Sequence, residues 1–351
     1  MIAFKHFHSA HCESGVTASL LSHHGLPLSE PMAFGIASGL FFIHLPVKTL
    51  FGAPNTNFRS APGSIFRKTC KRLGVPFEIR TFRDQERGAR ELGELVASGI
   101  PVGVQTNVFW LSHMPKRFRF QFNAHNLVVF GRDEEGWKVS DPVLEVPLTC
   151  TAPSLQRARF AKGFLAPKGK LYFVSGPVVI DPVRLRAAVL AGVTDTAKGM
   201  SRIPVPFFGG KAIGLLADRM EKWPRIYKDP MDSVMQLSNV VRMQEEIGTG
   251  GAGFRYLYAA FLQEAAGVLG DPRYLEFSAQ LTAIGDTWRA FAAKCARICR
   301  SQKAELPAFA EAAALVRDCG VRERALFGEI LEHEQRRARP QAALPAGQPG
   351  A

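Results

Sequence analysis

"AHNLVVFGRDEEGWKVSDP", residues 124–142, decides how this chain is read. An apolar run beginning at His125 breaks at Asp133–Gly136 into a turn, and a second strand then ends in Asp141-Pro142. The pattern predicts a β-hairpin. Paired strands set their side chains side by side, so the hairpin would carry Asp141 to the His125 imidazole, there to hold Nδ1 and fix the tautomer. A histidine held in this way is a general base that needs a nucleophile.

The nucleophile candidate lies more than a hundred residues upstream, in "FKHFHSAHCES" (Phe4–Ser14). Cys12 immediately precedes "ESGVTASLLSHHG" (Glu13–Gly25), which reads as a short amphipathic helix closed by Gly25. The free N–H groups and dipole of a helix start stabilise a thiolate, and the same groups can hold an oxyanion. His6, His8 and His11 crowd this cysteine. A His-x-His strand points two imidazoles to one face, as a metal site would need. No second Cys/His/Asp cluster of metal-ligand spacing accompanies them, so no metal is expected. The three histidines become candidates for oxyanion support, or for structural roles.

Outward from these two stretches, "LSEPMAFGIASGLFF" offers Ser29 as a cap, with Pro31 just inside a second helix. Glu30 in that helix start is either a contact for a substrate amine or a helix-start carboxylate. Helices follow at 61–74 and 84–99, and strands at 101–109, 125–133, 137–142 and 170–175, which together read as α+β. From about Asp181 the pattern is almost wholly helical, and "ARPQAALPAGQPGA" ends the chain as a disordered tail. The domains expected are 1–178, 179–336 and a tail at 337–351.

The 351 residues are 46% hydrophobic and 21% charged, ordinary for a globular protein with a large core. The net charge of +13 favours an acidic partner. Six cysteines form no CxxC pair, which points to reduced thiols and, with no signal-peptide pattern or stretch long enough to span a bilayer, to a cytoplasmic protein. The long apolar helical half would suit a homodimer. "GTGGAGFR" has two readings: Gly250, Gly251 and Arg255 could meet a phosphate, or form a tight helix connection with Arg255 in an internal ion pair. It lacks the Lys-Ser/Thr of a P-loop. "MPKRFRFQFNAH" (Met114–His125) interleaves Lys116, Arg117 and Arg119 with Phe118, Phe120 and Phe122. Read as an alternating strand, it would part the aromatics from Arg117 and Arg119, with a carrier protein, nucleic acid or plain solvent facing the charge.

The hairpin is similar to the His/Asp hairpin of bacteriocin-processing and related papain-like cysteine peptidases. "HFHSAHCESGVTASLLSHHGLPLSEPMAFGIASGLFF" (6–42) resembles the N-terminal domain of the butirosin biosynthesis protein H family, densely over 4–45 and 125–142. "EEIGTGGAGFRYLYAAFLQEA" (245–265) resembles the helical domain often paired with it. The resemblance implies a papain-like α+β domain followed by an all-α domain, with the active site in the first. It implies a cysteine acyltransferase from biosynthetic gene clusters, with Cys12 as nucleophile, His125 as base and Asp141 as orienter. The donor would be the phosphopantetheine thioester of an acidic acyl carrier protein, or coenzyme A, and the acceptor an amine-bearing small molecule. No permanently bound cofactor, nucleic acid or membrane span is expected. The alternatives are a hydrolase of the same fold and a non-catalytic carrier-binding module. Such peptidases place a Gln a few residues before the cysteine for the oxyanion; no Gln precedes Cys12, which leaves that role to His6 or His8.

Overall fold

α1 (Cys12–His23) starts on His11, whose extended backbone (φ −125°, ψ 130°) makes it the N-cap, and Gly25 at φ +86° lies just beyond its end. α2 (Glu30–Ile36) is capped by the Ser29 hydroxyl, which accepts from the Met32 N–H at 3.1 Å, with Pro31 in the first turn where a missing N–H costs nothing. Ser38 then takes a left-handed conformation (φ +53°), and the run "LFFIH" leaves the helix as β1 (Leu40–His44), paired antiparallel with β2 (Thr56–Arg59). The computed structural model describes residues 2–46, 55–179 and 181–337. The expected disordered tail lies, from residue 338 on, outside the described residues.

The remainder of the first half alternates α3 (Ile65–Leu73), β3 (Phe77–Arg80), α4 (Gln85–Ala97), β4 (Val102–Thr106), β5 (His125–Arg132), β6 (Trp137–Ser140), β7 (Leu148–Cys150), α5 (Ala152–Arg159) and β8 (Leu171–Val174). Six of these strands form one antiparallel sheet in the order β3-β8-β4-β5-β6-β7. The hairpin predicted from residues 124–142 is β5–β6, with Val128 opposite Ser140 and an irregularity between Val129 and Gly131. β5 is buried from His125 to Gly131, and its side chains serve two cores. Leu127 and Val129 pack with α4 and α5, whereas Val128 and Phe130 join a larger core on the other face. Two-sided burial explains why the strand reads as an unbroken apolar run.

The helical half is α6 (Pro182–Ser201), α7 (Gly209–Met220), α8 (Trp223–Ile226), α9 (Pro230–Glu245), α10 (Arg255–Leu269), α11 (Arg273–Ser301) and α12 (Leu306–Arg337). The fold is α+β: an N-terminal antiparallel sheet region followed by a helical C-terminal region. The larger core is continuous through both, joining Val16, Phe34 and Phe58 to Phe261, Trp288 and Phe327. That continuity changes one expectation. α1 is not amphipathic: Cys12 through Leu21 are all buried, because the sheet covers one side and α2, α3 and the second half's core cover the others.

"MPKRFRFQFNAH" also departs from expectation. It contains a single 3-10 turn at Lys116–Phe118 and no strand before His125, where β5 begins. Arg119 folds back to donate to the carbonyls of Met114 (2.8 Å) and Ser112 (2.7 Å), which closes the segment as a loop. Pro115 at its base removes a donor that a strand ladder would need. No helix among the described residues is long and apolar enough to cross a membrane, and all six cysteines are free thiols.

Candidate active site

Cys12 occupies the first position of α1, 7% exposed, with its backbone N–H among those a helix start leaves unpaired. Three braces fix this helix start. Glu30 accepts from the N–H groups of Ala10 (2.9 Å) and His11 (2.7 Å) and from the Ser14 hydroxyl (3.0 Å). Glu13 forms a buried ion pair with Arg59 (2.5 Å) and accepts from the N–H groups of Gly63 and Ile65. Gly15 lets α1 approach closely, since a Cβ there would lie 2.7 Å from Ser9 Cβ and 2.8 Å from Pro142 Cβ. The helix bearing Cys12 is thus pressed against the corner that follows Asp141.

His125 opens β5, opposite Thr106 of β4, and Asp141 follows the last residue of β6. Cys12, His125 and Asp141, distant in sequence, meet in one buried cluster. His125 Nε2 donates to Asp141 Oδ2 at 2.8 Å. The hairpin was expected to bring the carboxylate to Nδ1; it reaches the ring's far nitrogen instead, which leaves the nearer one for the thiol. Burial alone would lower the His125 pKa, but the Asp141 carboxylate, and behind it the Cys12 thiol, raise it to about 10. Asp141 is driven well below the usual carboxylate range: its burial acts upward, and the charges and hydrogen bonds of His125 and His113 outweigh it. The cluster therefore favours an imidazolium beside the cysteine.

Two residues that sequence reasoning passed over belong here. His113 also places Nε2 on Asp141 Oδ2, at 3.0 Å, so one carboxylate oxygen serves two imidazoles. Burial opposes charging His113, but the hydrogen bond and charge of Asp141 raise its pKa above the ordinary value. His113 sits between two 3-10 turns, where no periodicity marks it. Asn126 follows His125 in the strand; its Nδ2 lies 3.9 Å from Cys12 Sγ and donates to the Ala124 carbonyl, while its Oδ1 accepts from Tyr172 at 3.0 Å. A polar residue interrupting an apolar strand was the one available signal for it.

The remaining candidates divide. His6 uses both ring nitrogens, on Ser140 Oγ (2.7 Å) and the Leu144 carbonyl (3.0 Å), so neither is free for an oxyanion. His11 is likewise engaged, with Nδ1 near Ser14 Oγ (2.9 Å) and Nε2 accepting from Arg59 (2.5 Å). Burial first, then the Arg59 and His125 charges, hold His11 well below its ordinary pKa and keep it neutral. His8 lines the cavity that also exposes Cys12 and His125. Glu30 braces the cysteine segment and is not placed to receive a substrate amine. Arg255 is fully buried in a two-pronged pair with Glu323 (2.9 Å each), among the rings of Phe42, Phe58 and Trp288, so it meets no phosphate. Gly250 belongs to a turn leaning on Ala10, and Gly251 is held in the same turn by the Thr249 hydroxyl. That turn supports the segment before Cys12.

The family model described as "Domain of unknown function (DUF4872)" matches residues 153–330, half of the chain. The model described as "Butirosin biosynthesis protein H, N-terminal" matches residues 11–142, from just before Cys12 to just past Asp141. A solved structure described as a C39-like peptidase from Bacillus anthracis is similar over 49% of this chain and 94% of its own, at 17% identity and a TM-score of 0.35. No curated protein matches the chain.

Proposed function

We propose, from the premise that this chain belongs to the DUF4872 family and carries a butirosin biosynthesis protein H N-terminal domain, that it is a cysteine-dependent acyltransferase. One observation carries the proposal: a cysteine at a helix start meets a histidine that a buried carboxylate holds toward its charged form, at the wall of an open cavity. That is the preparation a thiolate nucleophile needs.

In the proposed cycle the Cys12 thiolate attacks the carbonyl of a phosphopantetheine thioester, and the carbonyl oxygen takes the negative charge. The Cys12 backbone N–H and the Asn126 side-chain amide supply hydrogen bonds to that oxygen, in place of the missing glutamine. The intermediate collapses with cleavage of the C–S bond to the pantetheine sulfur, which takes the proton of the His125 imidazolium and leaves as a thiol. An amine then attacks acyl-Cys12, His125 accepts the amine's proton, and the Cys12 thiolate departs, regenerating the ion pair. The sum is thioester plus amine to amide plus thiol. No resident cofactor takes part. An acidic acyl carrier protein in the cytoplasm suits the net charge of +13 as donor, with coenzyme A as the smaller alternative.

The test is transfer itself. Acyl-pantetheine is mixed with the protein, and the acylated protein is followed with and without a primary amine. The proposal expects the amine to speed discharge and to emerge as an amide. Discharge at the same rate without amine, giving free acid, would make the protein a hydrolase.

A further inference from the structure

We infer that the cavity beside Cys12 is an acyl-chain subsite that takes an uncharged, apolar acyl group; this deepens the acyltransferase reading and rests on it. The cavity measures about 280 Å³, and Cys12 and His125 form part of its wall. A group that acylates Cys12 therefore has this space for its tail.

The rest of the lining is chiefly apolar. Val108, Met114, Phe118, Phe120 and Phe122 come from the loop between β4 and β5, and Ile247 from the segment after α9 in the helical half. Val108 and Met114 are buried, whereas Phe118 is 46% exposed, a large ring left in water at the cavity wall. An acyl chain lying along these side chains would remove that apolar surface from water.

Charge selects in the same direction. Among the described residues the cavity lining includes no lysine or arginine, and Glu246 contributes its one carboxylate. Inside, an anionic acyl group would meet the Glu246 carboxylate and a His125 imidazolium already neutralised by Asp141, and would lose its hydration. Two nearby cations do not line the cavity: Arg117 stacks on the Phe118 ring at 4.8 Å and Arg242 on the Phe120 ring at 5.0 Å. The space equals that of about nine water molecules, so a chain of medium length fills it.

The experiment is a single-turnover series without acceptor, in which pantetheine thioesters from acetyl to decanoyl, with succinyl as the charged control, acylate the full-length protein. Omitting the acceptor assigns any chain-length effect to the acyl group. Acylation of Cys12 should rise about fourfold in kcat/KM for each added methylene until the cavity is full, and succinyl should lag behind the uncharged chain of equal length. Phe118→Ser, checked for an unchanged unfolding transition, should flatten the rise. A rate independent of chain length, or highest for acetyl or succinyl, overturns the subsite while leaving the acyltransferase reading standing. Absence of any acyl-Cys12 with every thioester overturns both.

Discussion

Asp141 concentrates the chemistry of the site in one oxygen, because its Oδ2 receives both His125 and His113. In the proposed reaction His113 is a positioning residue, because it holds the carboxylate that holds His125. His113→Asn should slow acylation by about tenfold, the value of one hydrogen bond to a charged group, about 1.5 kcal/mol, and should change the pH profile as well. A purely structural role would lower stability and leave the profile unmoved. His125 is raised to about 10, against about 6.5 in an unfolded chain. Its stabilising contribution is therefore complete below about pH 6.5 and is lost as pH rises through about 10. Thermal unfolding of the wild type should weaken between about pH 7 and 10, and His125→Gln should lose most of that slope; equal slopes would refute the coupling. That Cys12, His125 and Asp141 would meet was legible because residue type, order and hairpin context all pointed to one cluster. The ring nitrogen facing Asp141 was not, since it depends on rotamer and register rather than on composition.

At the scale of elements, Gly25 and the Ser29–Pro31 start marked the bounds of the first two helices, and the helical pattern from about Asp181 is matched by α6–α12. Elements failed where a local pattern served a different purpose. The alternating Phe/Arg run is a loop because Arg119 closes it on itself, and its aromatics line a cavity. β1 was hidden inside a run read as helix, and a three-residue break, Ala37 to Gly39 with Ser38 left-handed, separates the two. The turn before α10 shows how Arg255 could be read two ways, and burial decides between them. Arg255→Met should cost about 3–5 kcal/mol in urea unfolding, because it leaves the buried Glu323 carboxylate without its counter-charge, with only the Trp288 N–H still donating to it. A phosphate-binding Arg255 would instead lose acylation and keep its stability.

For the whole molecule, the sequence suggested two domains because the pattern turns almost wholly helical near residue 181, yet periodicity does not reveal which surfaces face each other. The larger core runs through both halves, and α6 crosses α2 so closely that a Cβ on Gly192 would lie 2.5 Å from the Gly35 carbonyl oxygen. Residues 1–178 alone should therefore lack cooperative unfolding, since Phe34, Phe42 and Phe58 would lose their partners in α10 and α11. A sharp transition in that fragment would show that the sheet region folds independently. The helical half also reaches the site, with Ile247 and Gly248 in the wall of the cavity that Cys12 and His125 line. The central claim is that Cys12 carries the acyl group. Intact-protein mass spectrometry after incubation with acyl-pantetheine, followed by peptide mapping, tests it most directly. The account predicts one acyl mass on Cys12, absent in Cys12→Ala and strongly slowed in His125→Gln; an unmodified wild type, or an adduct that persists in Cys12→Ala, would contradict it.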